Sequence, residues 1–334
     1  MVSWRTYLYG VIRVLFGGVL FWSALSTAHA EDRHFMAWRH ALYDEARGEG
    51  ISAQTLEATL NSMTVPLDAV LSLYNNQPEY RITLARYLEH VVNEQRIDKG
   101  KKHLIRHKDL LDALETRYGV SRYVIVALWG AESDFGDHTG SHAVIPSLAT
   151  LAYGSRRKAF YRQELLAALH MIDQGYVASE DMRGSWAGAM GQVQFIPSTY
   201  RAYAVDYNGD GKKDIWHRTD DALASAASLL SSLGWQEGEG WGFEVTLPST
   251  FQPHWGGRHQ DKWRDMATWW DRGVTPLNQE KRLLPPATTA ALILPERNSR
   301  RAFLALANFE TILLWNRSDY FAISIGMLAD ALQE

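Results

Sequence analysis

The 334-residue chain has no cysteine. That excludes a disulfide framework, thiolate-built metal sites and a lipid anchor attached through cysteine. Long hydrophobic runs are scarce as well. VLFGGVLFWSAL, residues 14 to 25, is about twelve residues long, short of the roughly twenty that a spanning helix needs, and no other segment is a candidate span. Arg5 and Arg13 precede it and Ala28-His29-Ala30 follows, so residues 1–30 read as a cleavable secretory signal and a periplasmic protein is expected. Positive charge is also in short supply. The net charge of −4 falls to −6 once the two signal arginines are removed, and nothing in that balance favours nucleic acid. The patterns H-E-x-x-H and G-x-S-x-G are missing, which removes the zinc-peptidase and serine-hydrolase readings.

What is present is a large apolar and aromatic content. Hydrophobic residues make up 46% of the chain, with 13 tryptophans and 15 tyrosines, enough for two domains or for one domain with an elaborate attachment. Such rings fill cores, and they also form faces that meet flat, half-apolar ligands such as sugars. The patterning is mainly helical. Phe35, Trp38, Leu42 and Ala46 recur at helical spacing, Ser52 is placed to cap a helix running to Leu60, and a helix is expected from Tyr87 to Ile97 with a stop at Gly100. Further helices are expected near 108–117, 121–135, 160–174 and 220–233, with Gly136, Gly175 and Gly234 where left-handed caps would fall. EVTLP and AALILP read as short strands. The expected organisation is a helical segment over 31–105, a catalytic core over 106–244, and a C-terminal segment over 245–334 with short strands and a final helix. The fold class is mainly α, with a small β part (α+β).

VIVALWGAESDFG, residues 124 to 136, places an acid in an apolar run. On a helix, Glu132 shares a face with Ile125, Leu128 and Phe135, with Trp129 at its edge. Burying an unpaired carboxylate is costly, and the usual response is a raised pKa that holds the proton near neutrality. Such a carboxyl beside a cleft is a general acid; the alternative is a satisfied structural acid. Glycoside hydrolysis ordinarily needs a second carboxylate across the bond. Asp134 is turned roughly 200° around the helix from Glu132, and Asp137 lies beyond the helix end.

Six blocks in order carry a resemblance: ALWGAESDFG, VIPSLATLAY with Arg156-Arg157, GSWAGAMGQVQFIPSTY, YAVDYNGDGKKDIW, ALASAASLLSSLGW and NFETILLWN. Together they resemble the lytic murein transglycosylase B family. The resemblance implies a lysozyme-like catalytic core and non-hydrolytic cleavage of the MurNAc-β-1,4-GlcNAc bond of peptidoglycan, leaving 1,6-anhydro-MurNAc ends. It places Glu132 as the lone acid and base, Ser185, Gln194 and Asn316 as groups lining the site, and Arg156 and Arg157 as partners for peptide-stem carboxylates or as plain surface charges. Met190 is read as a wall of the cleft or as core. Gly184, Ala187, Gly188, Ala189 and Gly191 would let backbone approach a sugar, or would serve packing. Glycan strands are the expected partner, the protein is expected to be a monomer, and no organic cofactor is implied. The rival readings are a muramidase that uses Asp134, Asp137 or a distant acid, and a non-catalytic peptidoglycan-binding scaffold.

One further motif points to a metal. Asp206, Asn208, Asp210 and Asp214 stand at positions 1, 3, 5 and 9 of a calcium-type loop, with Gly211 at the turn and the Lys212 carbonyl at position 7. Position 12 is His217, so the loop departs from the pattern. The resemblance implies a longer loop closed by Asp221 or its neighbour Asp220, holding a structural calcium remote from the chemistry. The alternative is a plain N-G-D-G turn.

Overall fold

The computed structural model describes residues 33–76, 82–296 and 301–334. The segment read as a secretory signal lies outside them. No helix among the described residues is long and apolar enough to cross a membrane. The fold is mainly helical with little sheet, and the chain divides into two compact units.

The first unit comprises 33–75, 142–182 and 186–188. Residues 33–48 are helical, and the stripe predicted for them is the buried one: Phe35, Leu42 and Ala46 have essentially no exposed surface. Ser52 caps the Ala53–Leu60 helix by accepting from the Thr55 amide at 3.2 Å. Asp173, closing the Lys158–Asp173 helix, accepts from the Ser52 amide at 3.0 Å and the Thr55 hydroxyl at 2.8 Å. One carboxylate thereby holds the cap and first turn of that helix. Val144–Gly154 packs beside Lys158–Asp173, with Leu148 and Leu165 fully buried.

The second unit comprises 76–141, 183–185 and 189–334. At its centre lies the Arg122–Ser133 helix, buried continuously from Val124 to Gly130. A helix apolar on all sides must be enclosed. It is, by Glu94–Arg106, Lys108–Tyr118, Thr219–Ser232 and Asp319–Gln333. The single helix expected over 87–97 is instead two, Leu84–Val91 and Glu94–Arg106. Asn93 breaks them, its side chain accepting from the Arg96 amide at 2.9 Å as an N-cap. Gly100 is therefore no stop. It sits buried in mid-helix, where an added Cβ would lie 2.5 Å from Leu332 Cδ2.

A five-stranded antiparallel sheet runs in the order 264–265, 289–293, 302–305, 242–246, 275–276. The two strands expected from EVTLP and AALILP are present as Gly242–Thr246 and Thr289–Ile293. Side chains alternate between faces. Ala291, Ile293, Phe303 and Ala305 join the helical core, while Ala290, Leu292, Ala302 and Leu304 meet Met266, Trp269 and Val274 on the other side. The central strands are covered on both faces, hence their unbroken apolar sequence.

Candidate active site

The helix that carries Glu132 ends abruptly. Asp134 and Phe135 both take left-handed backbone angles, with φ of 50° and 62°, a conformation that costs non-glycine residues energy and persists only when neighbours enforce it. Several do. The Asp134 amide bonds Gly130 O at 3.1 Å and the Phe135 amide bonds Trp129 O at 3.2 Å. Lys99 Nζ holds both the carbonyl and the carboxylate of Asp134 at 2.8 Å, and reaches Asp137 at 2.6 Å. Phe135 consequently leaves the helical stripe on which its spacing placed it. Its ring turns back onto Gly130 and stacks on His103 at 4.9 Å.

Glu132 sits in the last turn of this helix, partly exposed, with protein packed closely around its carboxyl. Desolvation pushes that carboxyl up to about 7, against the opposing pull of a hydrogen bond from Trp315 Nε1 to Oε1 at 2.9 Å. No cation among the described residues offsets the burial. Lys99 is committed to Asp134 and Asp137, and His103, half-buried beside His107, is driven down to about 4 and stays neutral. The result is a carboxyl that carries its proton near neutral pH and releases it readily, the property wanted of a general acid. The two acids considered as its partners are both engaged by Lys99.

The segment around 183–195 is folded against the same helix end. Ser133 donates to Gln192 O at 2.6 Å while its oxygen accepts the Gly136 amide at 2.9 Å. Ser185 closes a tight turn with Ala189: its amide donates to Ala189 O at 2.7 Å, and its hydroxyl accepts from the Ala189 amide at 3.1 Å. Gln194, at φ 49°, donates from its side chain to Thr139 O at 3.1 Å and Gly191 O at 2.9 Å. Gln194 and Trp315 line one recess of about 220 Å³ with Phe195, Tyr203, Leu229 and Leu314, and Asn316 follows, exposed, at the end of the Ala307–Trp315 helix. Trp315 is thus next to both Glu132, through its hydrogen bond, and Gln194, through the recess, and Asn316 is its neighbour in sequence.

Met190 is not a cleft wall. It is completely buried, bridged on either side to Gly184 and Phe195, and packs beneath the loop. Packing also accounts for Gly191, where an added Cβ would stand 2.7 Å from the Ile215 carbonyl at a φ of 68°. Arg156 and Arg157 belong to the first unit, where the Arg157 guanidinium lies over the Phe160 ring at 4.1 Å.

The family model for the transglycosylase SLT domain matches residues 34–330. The chain belongs to that family. It is 28% identical over 293 residues to membrane-bound lytic murein transglycosylase B of Escherichia coli, covering 85% of this chain and 79% of the relative. Among solved structures it is similar to SltB3 from Pseudomonas aeruginosa in complex with NAG-NAM-pentapeptide, at 40% identity and a TM-score of 0.83, over 90% of this chain and 79% of that one. The complex of SltB3 with NAG-anhNAM-pentapeptide gives 40% identity and a TM-score of 0.82, with the same coverage. It also resembles the lytic transglycosylase Slt35 of E. coli in complex with calcium, at 27% identity and a TM-score of 0.75, over 91% of this chain and 92% of that one. As a member of the transglycosylase family the protein is an enzyme, a lytic transglycosylase acting on peptidoglycan, with the lysozyme-like fold of these relatives.

In this transglycosylase the acidic loop over 206–221 is organised largely by its own side chains. Asp206 accepts from the Gly209 and Gly211 amides at 2.7 and 2.8 Å, Asn208 from Asp210, and Asp210 from Lys212. Of the acidic pair, Asp221 is the one turned to the loop. It is fully buried and accepts from the Tyr207 amide at 2.9 Å and the Asp214 amide at 2.8 Å, whereas Asp220 pairs with Arg218. His217 folds back towards Asp214, 3.2 Å away. Burial first, then the charges of Asp220 and Asp206, raises the Asp221 carboxyl above its ordinary value. The donors are all oxygen, the type a hard cation takes, and the concentrated negative charge fits one. No group of three His, Asp or Glu among the described residues is gathered closely enough to chelate a metal. Just past Asp214 the loop meets Gln192. Gln192, which holds Ser133 through its carbonyl, also donates from its amide to Ile215 O at 2.9 Å and from its side chain to Trp216 O at 3.2 Å.

Sequence reasoning missed Trp315, Ser133, Gln192 and Lys99. Trp315 stands beside Asn316 in a block already singled out, but with 13 tryptophans in the chain nothing distinguishes this one until its N–H is seen on Glu132.

Proposed function

We propose that the enzyme cleaves the MurNAc-β-1,4-GlcNAc bond without water, with Glu132 as the sole acid and base. The protonated Glu132 gives its proton to the bridging oxygen as the bond to C1 breaks. The resulting carboxylate then accepts the proton of the muramyl C6 hydroxyl as that oxygen bonds to C1, with the substrate's own N-acetyl group assisting. One bond is broken, one is formed, and the proton on Glu132 is restored. The observation that carries this reading is a solitary high-pKa carboxyl whose nearby acids, Asp134 and Asp137, are both held by Lys99. Positioned proton transfer of this kind contributes about 10²- to 10⁴-fold, and orientation of the sugar must supply much of the rest. The two ligands named for the Pseudomonas relative, one with NAM and one with anhNAM, are consistent with such a reaction.

In this reading Ser185, Gln194 and Asn316 hydrogen-bond the glycan, and Arg156 and Arg157 engage the stem carboxylates. Residues 31–105 form a supporting helical segment, 106–244 the catalytic core, and 245–334 a segment that returns its last helices to that core. Residues 1–30 are a secretory signal that delivers the enzyme to the periplasm, where its substrate lies. Digestion of purified sacculi followed by mass spectrometry tests the chemistry. Anhydro ends, lighter by one water than hydrolysed ends, are expected as the main product. Hydrolysed ends would establish a muramidase instead, and no release at all would leave a binding scaffold.

Calcium belongs to the same proposal. Asp206, Asn208, Asp210, the Lys212 carbonyl, Asp214 and Asp221 would hold it, and the ion would neutralise the loop that braces Gln192. Saturating calcium at about 100 times its Kd is then expected to stabilise the fold by about 2.7 kcal/mol, seen as a rise in melting temperature that EDTA reverses and that Asp206→Asn abolishes. Absence of both a calorimetric heat and a thermal shift would reject the site.

A further inference from the structure

We propose that Trp315 is a positioning residue for the reaction: its indole N–H fixes Oε1 of Glu132 as an acceptor, so that the transferable proton resides on Oε2. This rests on the assignment of Glu132 as the acid and base. Three observations carry it. The indole nitrogen is 2.9 Å from Oε1, and among the described residues Oε2 has no hydrogen-bond partner. An indole N–H can only donate, and the carbonyl oxygen of a protonated carboxyl is a better acceptor than its hydroxyl oxygen, so this bond favours the acidic proton on Oε2. The ring is itself held in place. Trp315 ends the Ala307–Trp315 helix and packs on buried Phe195, ring centroids 5.5 Å apart, while lining the recess with Leu314 and Gln194.

The chemical consequence follows from where charge develops. As Glu132 releases its proton, negative charge grows on a carboxylate enclosed by protein, and a donor already aimed at it stabilises that charge in the transition state without reorganisation. The same hydrogen bond opposes desolvation and draws the carboxyl downward. Among the described residues no other charge competes for this role. On the neighbouring helices Lys99 pairs with Asp134 and Asp137, Arg96 lies 3.8 Å from Asp134, His103 is neutral, Asp221 takes loop amides, Asp330 takes the Trp241 N–H, and Glu310 and Asp319 face Arg258.

The test removes the N–H and keeps the shape. The variant carries the benzothiophene isostere of tryptophan at 315, with sulfur in place of N–H, and Trp315→Phe is made beside it as a second deletion of the donor. Cleavage of uncrosslinked glycan strands is followed from pH 5 to 9, with KM and kcat separated. For the isostere, the plateau kcat is expected to fall about tenfold, as for loss of a hydrogen bond to a charged group. The midpoint of the basic limb is expected to move up by about half to one pH unit, so that the wild-type and variant curves converge above it, with KM nearly unchanged. A purely structural loss would lower the whole profile by one factor and leave the midpoint in place. An unmoved midpoint with an unchanged kcat in the isostere overturns the proposal, and so does a uniform drop. Wild-type protein and Glu132→Gln run alongside. If the wild type is active and Glu132→Gln is not, an unmoved isostere profile sinks only the role of Trp315; if Glu132→Gln remains active, the assignment of Glu132 itself has failed.

Discussion

Glu132→Gln is expected to lose at least about 10²- to 10⁴-fold in kcat, the range spanned by positioned general acid–base catalysis, while folding at least as well as the parent. The loss follows because the amide can neither give a proton to the bridging oxygen nor take one from the C6 hydroxyl. The retained fold follows because glutamine keeps an acceptor oxygen for the Trp315 N–H and removes a carboxylate that the site solvates poorly. The linkage can be signed. The folded-state carboxyl titrates at about 7 against an ordinary value of 4.5, so the folded state favours the proton. Wild-type stability relative to Glu132→Gln is fully present below 4.5 and declines as pH rises towards 7. Above that the variant should be more stable, by up to roughly 3 kcal/mol. Thermal melts of both proteins at pH 4.5 and pH 8 measure the difference. The catalytic counterpart is a wild-type rate that falls as pH rises through about 7, since the reaction begins with the protonated acid. Equal melting behaviour at both pH values would mean that the carboxyl is not perturbed, and retained turnover would move the chemistry to another residue.

Elements whose energetics are local could be read directly from the sequence. The Ser52 cap, the amphipathic stripe through Phe35, Leu42 and Ala46, and the glycine turns that follow the helices ending at Asp173 and Ser232 each depend on neighbouring residues and appear as expected. Elements set by distant partners could not. Gly100 looks like a helix stop until Leu332 is seen lying across it. The Ala302–Ala305 strand has no polar alternation because both of its faces are covered, one by the helical core and one by Met266 and Trp269. The site shows the same division. An acid interrupting an apolar run is visible in one helix, and its perturbed proton affinity follows from that. The donor that tempers it comes from Trp315, far along the chain, and the left-handed turn at Asp134 and Phe135 depends on Lys99 from another helix. Met190, which its sequence neighbours leave open as cleft wall or core, is wholly buried, bridged to Gly184 and Phe195.

The second large effect is on stability and lies away from the acid. Gly326 falls in the middle of the Asp319–Gln333 helix, where alanine would normally be preferred by about 1 kcal/mol. Here the preference should reverse. An alanine Cβ would sit 2.0 Å from Cδ2 and 2.3 Å from Cε2 of Trp241, inside the ring's van der Waals surface, and moving the ring would break the contacts that hold it. Its Nε1 is bonded to Asp330 Oδ2 at 3.0 Å, one turn further along the same helix, and its face lies near the rings of Phe303 and Phe309. Either the helix lifts from the core or the indole leaves its hydrogen bond, and overpacking of this kind costs about 1 to 3 kcal/mol. Gly326→Ala should therefore fall at the upper end, near 3 kcal/mol, lowering the melting temperature by several degrees. Gly48, also helical but with open space where a Cβ would be built, is the control: Gly48→Ala should leave stability unchanged or raise it by up to about 1 kcal/mol. If both substitutions behave alike in the same denaturation experiment, the close approach of the Trp241 ring to this helix is wrong, and with it the anchoring of the last helix against the sheet.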